Sequence, residues 1–257
     1  MTNRMPVLFV GHGSPMNAIE DNEFSRAWIT EGKALPPVKA ILCISAHWET
    51  DGTQVTAMEK PKTIYDFYGF PPELYARTYP APGSPELAQR VLDLVKPIAV
   101  GLDRTWGLDH GTWSVLTRLF PKAEVPVVQL SLDVQKDPQE HYDLGRQLMA
   151  LRDEGVLILG SGNIVHNLRI LSWDGAVYDW AVEFDAKVKQ WILNNDHESI
   201  IQYHKQGQQA ALAINSAEHY KPLLYVLGAM QASEPVSFFA EKITLGSISM
   251  RSMRIGD

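Results

Sequence analysis

The chain has 257 residues, of which 45% are apolar and 21% charged, so it is long enough to bury a large core as one α/β domain over residues 1–257. Its formal net charge is -7 at pH 7 with acidic residues spread along the sequence, which leaves no basic face for nucleic acid. Residues 1–10 have too short an apolar run for a signal peptide and no later run approaches the roughly 18 apolar residues of a spanning helix, so we expect a cytoplasmic protein without membrane contact.

Short β-branched runs alternate with helical patterns along most of the chain. In chain order, the predicted elements are strands at 6–10 and 40–46, helices at 84–95 and 112–120, a strand at 125–132, a helix at 139–154, a strand at 156–160, helices at 180–194 and from about Pro222, and closing strands at 236–239 and 243–253. Strands that alternate with helices form right-handed crossovers. The sequence therefore predicts a single α/β domain with a largely parallel central sheet and helices on both faces.

Two further features lie within this pattern. Residues 58–85 are rich in proline and aromatic side chains, and an ordered loop of this kind is either a lid or binding loop, or a cover packed over the core. The single cysteine, Cys43, lies in an apolar run. It is predicted to be a small buried core residue rather than a catalytic thiol.

Three of the eight histidines follow predicted strands. His12, His47 and His166 each come soon after the point where a strand is expected to end. In open parallel sheets, ligand sites form outside the carboxyl ends of the strands, so these side chains are expected to converge although they are far apart in sequence. Imidazole nitrogen is a preferred ligand of zinc, iron and copper. A buried core histidine is the alternative for each one singly, but together they predict a metal site at the carboxyl ends of the strands.

The other histidines have different settings. His110 lies just before a predicted helix, where it is either a functional residue or simply part of a helix start that is capped by Asp109 or Thr112. His219 follows Glu218, and because successive side chains point apart, only one of the two is expected to face a metal. Three histidines among charged residues are predicted to be solvated: His141, His197 and His204.

Over nearly its whole length the sequence resembles the class III extradiol ring-cleaving dioxygenases (LigB-like), and within them the DOPA 4,5-dioxygenase family. The resemblance rests on six segments: GHGSPM at 11–16, SAHW at 45–48, YPAPG at 79–83, DHG at 109–111, SGNIVHN at 161–167 and EHY at 218–220. Gly-His-Gly alone is not specific, but the six segments together are.

The resemblance implies a non-haem Fe(II) enzyme that opens the ring of a catechol, such as 3,4-dihydroxyphenylalanine (DOPA), with dioxygen. His12 and His47 would be metal ligands, and His219 would be the late ligand where the wider class uses a glutamate, here Glu218. His166 matches the catalytic base, and it would also be a ligand when Zn(II) occupies the same site. His110 matches the histidine that contacts bound oxygen or substrate.

Two other functions fit the same histidines. A zinc-dependent hydrolase would use three or four histidines and an open position to activate water near neutral pH. A catalytically silent metal-binding protein would keep the site for stability. The presence of His166 as a candidate base favours an enzyme.

Overall fold

The computed structural model describes residues 4–257, which contain ten strands. They are β1 (Val7–Gly11), β2 (Ala40–Thr50), β3 (Thr53–Thr56), β4 (Val100–Asp103), β5 (Val127–Asp133), β6 (Val156–Gly162), β7 (Val236–Phe239), β8 (Ile243–Thr244), β9 (Ile248–Ser249) and β10 (Ser252–Ile255). Eight strands form one sheet in the order β4-β3-β5-β2-β6-β1-β10-β7, and β8 pairs separately with β9.

The central part of the large sheet is parallel. β6 pairs in parallel with both β1 and β2, and β2 pairs in parallel with β5. At one side β10 runs antiparallel to β1 and β7, and on the other side β3 meets β5 antiparallel at Val55 and Leu130. The prediction of a single α/β domain with a largely parallel sheet is therefore confirmed.

Nine α-helices occur in residues 4–257. They are α1 (Glu23–Ala34), α2 (Pro72–Tyr75), α3 (Pro85–Leu94), α4 (His110–Leu119), α5 (Pro138–Leu148), α6 (Asp179–Leu193), α7 (His197–Ile201), α8 (Gln208–Ala213) and α9 (Lys221–Gly228). Local chemistry explains where several begin, since Ser84, Asp109 and Asp137 each accept a backbone N–H in the first turn of the helix that follows. Within the described chain, every helix is too short or too polar to cross a bilayer.

Helices cover both faces of the sheet. Along β2, Leu42 and Ile44 belong to one buried cluster, whereas Ile41 and Cys43 belong to another, and because side chains alternate along a strand the two clusters lie on opposite faces. The first cluster includes residues of α3, α5, α6 and α9, and the second includes residues of α1 and α4. Cys43 is fully buried, as predicted.

Several predicted boundaries were wrong. β2 does not end at residue 46 but continues to Thr50 with a shift in register between Ile44 and Glu49, so His47 lies inside the strand. The stretch predicted as one strand at 243–253 is three short strands, because a turn with positive φ at Leu245 and Gly246 separates β8 from β9. The helix predicted at 139–154 ends as α-helix at Leu148 and continues as a 3₁₀ helix.

Candidate active site

The site lies at the carboxyl ends of three neighbouring strands. β6 stands between β2 and β1 in the sheet, and His12 follows directly on the last residue of β1. Its backbone N–H donates to the carbonyl of Gly162 at the end of β6 (3.1 Å). The segment that carries His219 packs on the same strand end, because Asn163 N–H donates to the carbonyl of His219 (2.8 Å). A side chain at Gly162 would collide with that carbonyl, since a Cβ there would lie 2.1 Å from it.

Three imidazoles form a nearly equilateral triangle at this edge. The ring centroids of His12 and His47 are 5.0 Å apart, those of His12 and His219 are 5.2 Å apart, and those of His47 and His219 are 5.0 Å apart. His12 and His219 are 1% and 6% exposed, and His47 is half-buried. The structure thus brings together three of the histidines that the sequence predicts as metal ligands.

The hydrogen bonds of His12 define which of its nitrogens is free. Its Nδ1 lies 3.0 Å from the hydroxyl of Ser161, and that hydroxyl donates its own hydrogen to the carbonyl of Gly111 (2.5 Å). Because a hydroxyl has only one hydrogen, Ser161 must accept from His12, and Nδ1 carries the imidazole hydrogen. Nε2 is therefore the nitrogen with the lone pair, and it lies 3.1 Å from Nε2 of His47.

The other two imidazoles of the triangle also have an oxygen next to Nδ1. The Nδ1 of His47 lies 3.3 Å from Asp66 Oδ2, and the Nδ1 of His219 lies 3.0 Å from Glu218 Oε1. Glu218 is held in turn by the hydroxyl of Ser216, which donates to the same oxygen (2.9 Å). Glu218 therefore supports the neighbouring imidazole.

Two more histidines line the triangle. His110 is the first residue of α4, capped by Asp109, and its ring centroid is 3.9 Å from that of His47. His166 stacks on His219 with ring centroids 3.4 Å apart and planes 9° apart. All five histidines singled out in the six sequence segments thus lie within one cluster.

Burial keeps the imidazoles uncharged. It lowers the pKa of His47 to about 3, with a further decrease from His110 and an opposing effect of Asp66. It also lowers the pKa of His166 to about 4, against the effect of Glu218. The pKa values of His12 and His219 lie well below the ordinary value, first because of burial and then because of the neighbouring imidazoles. At neutral pH these rings are neutral, which is the form that binds metal ions.

The donor set fits one divalent ion. Neutral imidazoles suit Fe(II) and Zn(II), and histidine ligands in proteins usually direct the second ring nitrogen to a carboxylate or hydroxyl. Nδ1 of His12, His47 and His219 each lies within 3.3 Å of such an oxygen. The 3.1 Å between the Nε2 atoms of His12 and His47 is about the separation of two nitrogens that both lie about 2.1 Å from one ion at a roughly right angle.

The loop at 58–85 both covers the core and borders the histidine cluster. It packs on the core, since Tyr79 is buried and its hydroxyl donates to the carbonyl of Phe120 (3.0 Å). It also reaches the site, because the ring of Phe67 lies edge-on to His110 at 5.4 Å and Asp66 contacts two histidines.

Sequence reasoning missed Asp66 and misplaced His141. Asp66 is an acidic residue within a markedly aromatic stretch, and that contrast was the available signal. His141 was predicted to be solvated but is fully buried, because its face of α5 packs on α9, where Nδ1 lies 2.9 Å from the Tyr225 hydroxyl. His204 is exposed, as predicted, whereas His197 is half-buried against Tyr142.

Comparison with known proteins gives one consistent family. The family described as the catalytic LigB subunit of aromatic ring-opening dioxygenase matches residues 6–253. A protein of Escherichia coli K12 named 4,5-DOPA dioxygenase extradiol is 50% identical over an alignment of 263 residues, which covers 99% of this chain and 96% of the relative. A Beta vulgaris protein of the same name is 42% identical over 236 residues, with 88% and 87% coverage. The crystal structure of an uncharacterized Escherichia coli K12 protein, 46% identical, superposes with a TM-score of 0.87 and covers 98% of this chain and 100% of that one.

Proposed function

Since the chain belongs to the LigB family of aromatic ring-opening dioxygenases and is an extradiol dioxygenase, we propose that it opens the ring of a catechol with dioxygen by means of one divalent metal ion. Fe(II) is the ion proposed for turnover, and Zn(II) would bind to the same histidines. The two similar proteins named 4,5-DOPA dioxygenase extradiol support DOPA as the first substrate to test. We also keep the prediction of a cytoplasmic location as part of this proposal.

The triangle of His12, His47 and His219 carries the proposal. Each ring has an oxygen close to its Nδ1, which leaves the lone pair of Nε2 for a metal ion. We assign Glu218 as the supporting partner of His219 rather than as a ligand; its Oε1 accepts from Ser216 and lies 3.0 Å from Nδ1 of the imidazole.

The metal ion would supply a common binding position for the two catechol oxygens and for dioxygen, in a site whose other groups are histidines. The residues of the chain would orient the substrate and manage its protons. His166 is neutral at pH 7 because burial lowers its pKa to about 4, so it has a lone pair that can accept a proton from a catechol hydroxyl. Its stacking on His219 holds it beside the proposed ligands, and it would become a ligand itself with Zn(II).

His110 lies next to His47, whereas His166 lies next to His219. The ring of His110 contacts His47 and Phe67, so it is held between the proposed ligands and the aromatic loop, which is the loop at 58–85. We propose that it hydrogen bonds to dioxygen or to a substrate oxygen during ring opening. Both oxygen atoms of dioxygen would enter the product, a ring-opened semialdehyde that carries a carboxylate.

Two other functions weighed for the sequence have less support. The family and the two named relatives are described as dioxygenases rather than as hydrolases. A silent metal-binding protein would need no proton acceptor beside the ligands. His166 stacks on His219, and its side chain is only half-buried, so a substrate can reach it.

The test is anaerobic reconstitution with Fe(II), followed by admission of oxygen in the presence of DOPA or of other catechols. We expect one dioxygen consumed for each catechol and, with ¹⁸O₂, a semialdehyde product that carries the label in its carboxylate, because the aldehyde oxygen exchanges with water.

His12→Ala and His47→Ala are the matched variants, and each should fail to retain iron and to consume oxygen. Oxygen uptake equal to that of the parent in both variants would remove these residues from the site. Ester or amide hydrolysis that depends on zinc, without oxygen uptake, would support the hydrolase instead.

A further inference from the structure

Asp66 lies at the site although its neighbours in sequence are aromatic. The backbone beside it is fixed: Ile64 N–H donates to the carbonyl of Leu108, and the indole of Trp113 donates to the carbonyl of Ile64, both at 2.8 Å. The Asp66 side chain is only 19% exposed. A carboxylate is therefore held in a partly buried position in the loop at 58–85.

This carboxylate contacts two histidines at once. Oδ1 accepts the backbone N–H of His110 at 2.9 Å. Oδ2 lies 2.9 Å from Nδ1 of His110 and 3.3 Å from Nδ1 of His47. Oδ2 of Asp66 thus faces Nδ1 of both imidazoles, and the two ring centroids are 3.9 Å apart.

The position of a carboxylate decides where a neutral imidazole carries its hydrogen. An anionic acceptor beside Nδ1 favours the tautomer with hydrogen on Nδ1 and a lone pair on Nε2. For His47 this places the lone pair on the nitrogen that faces Nε2 of His12 at 3.1 Å. Two lone pairs that face each other repel, so this arrangement is favourable when a cation lies between them.

The contact between the side chains of His110 and Asp66 is close but not aligned. Nδ1 of His110 is buried and makes no hydrogen bond, although Asp66 Oδ2 is 2.9 Å away, because the N–H direction is not aligned with that oxygen. A small rotation of the ring would complete this hydrogen bond.

From these contacts we propose that Asp66 is a positioning residue, whose carboxylate sets the tautomer of His47, so that its Nε2 faces the metal, and orients the ring of His110 beside the substrate. This inference rests on the proposed function, because Asp66 acts through two residues of that site. It also gives the aromatic loop a role, because this loop holds the Asp66 carboxylate next to the two imidazoles.

The test is Asp66→Asn, which keeps the size of the side chain but has one carbonyl oxygen. If that oxygen keeps the bond to the His110 backbone, the amide NH₂ faces both Nδ1 atoms and favours hydrogen on Nε2, the form that cannot bind a metal ion through Nε2. If the amide is turned the other way, its NH₂ group faces the backbone N–H of His110, and two donors then repel each other. We expect Zn(II), used as the probe, to bind about 10-fold to 100-fold more weakly by calorimetry.

¹⁵N NMR of labelled histidines gives a second measurement that does not need activity or bound metal. In the metal-free protein, Asp66→Asn should move the His47 signals from their positions in the parent towards those of the Nε2–H tautomer. The control is Asp103→Asn, because Asp103 also accepts backbone N–H groups within a loop, from Thr105 (2.8 Å) and Trp106 (2.6 Å). It should bind Zn(II) as the parent does.

Parent affinity in Asp66→Asn with unchanged tautomers would overturn the inference and leave the proposed function intact. Equal weakening in Asp66→Asn and Asp103→Asn, without a tautomer change, would also overturn it, since loop packing would then be the cause. A parent that binds no divalent ion would instead contradict the proposed function, and the NMR measurement would still test the position of the hydrogen.

Discussion

Glu218 and His219 are adjacent in sequence but have different surroundings. The imidazole is 6% exposed and belongs to the triangle, whereas the carboxylate bonds to Ser216 and to the imidazole Nδ1. We expect His219→Ala to lose bound Fe(II), because a primary ligand is removed. Glu218→Gln should retain the ion with about 10-fold to 100-fold weaker affinity, because the amide oxygen can still accept from His219.

Metal content after dialysis, measured by elemental analysis, checks this order. Glu198→Gln in α7 is the matched control, and it should bind metal as the parent does. Loss of iron in Glu218→Gln but not in His219→Ala would reverse the assignment and make the carboxylate the ligand.

His166 allows binding to be separated from chemistry. If it is the base that deprotonates the catechol, His166→Ala should keep most of its Fe(II) and bind catechol, yet turn over about 100-fold to 10,000-fold more slowly. The loss should shrink at high pH, because the substrate then ionises without help.

The measurements are kcat against pH and iron content, with the exposed His204→Ala as the control. Turnover at the parent rate would show that the base lies elsewhere. Loss of iron together with activity would make His166 a ligand first, and His110 would be the next candidate for the base.

The end of β6 shows how a strand positions residues from a distant segment. Gly162 has no side chain, so the carbonyl of His219 can approach the strand and accept the N–H of Asn163. A Cβ at Gly162 would lie 2.1 Å from that carbonyl oxygen, a distance that forces the backbone of the segment to move. The position of His219 therefore depends on the lack of a side chain on β6.

Gly162→Ala should therefore weaken metal binding by at least about 10-fold and lower the free energy of unfolding by about 1–3 kcal/mol. Gly207→Ala is the control. Gly207 precedes α8 with φ 84°, and a Cβ there would have open space around it, so alanine costs stability through backbone strain alone. Calorimetric Zn(II) titration and denaturant unfolding distinguish the two effects. Equal metal affinity in both variants would show that the close approach is not needed for the site.

The pH dependence of stability belongs to the whole molecule, because it reports buried groups outside the site as well. His141 is fully buried between α5 and α9, and burial lowers its pKa from 6.5 to about 4. In the unfolded chain this histidine takes up a proton near pH 6.5, whereas the folded chain resists protonation until about pH 4. Its contribution to stability is therefore complete above pH 6.5 and is lost as the pH falls towards 4, at about 1.4 kcal/mol for each pH unit.

His141→Gln removes this titration and can keep a hydrogen bond to the Tyr225 hydroxyl. We expect the free energy of unfolding of the metal-free variant to fall less steeply than that of the parent between pH 6.5 and pH 4, by about 1.4 kcal/mol for each unit. Urea unfolding at several pH values measures the two slopes, and His204→Gln should leave the slope unchanged. Parallel curves for His141→Gln and the parent would show that His141 is already protonated in the folded state.

The sequence by itself determined the alternation of strands and helices, the buried cysteine, and the positions of His12 and His166 after strand ends, whereas His47 lies inside β2. These are local properties: a β-branched run, a capping residue or a glycine acts through neighbouring residues, and parallel strands necessarily end at one edge. The six sequence segments also included His110 and His219. These segments are enough to predict the family from the sequence.

Only the tertiary structure decided which side chains support these histidines. Asp66 meets His47 and His110 because the aromatic loop folds back on the start of α4, and the burial of His141 depends on how α5 packs on α9. No local pattern encodes such contacts, because they depend on how segments far apart in sequence pack together. The tautomers of the site, and with them its capacity to hold a metal ion, are therefore set by long-range packing rather than by the histidine motifs alone.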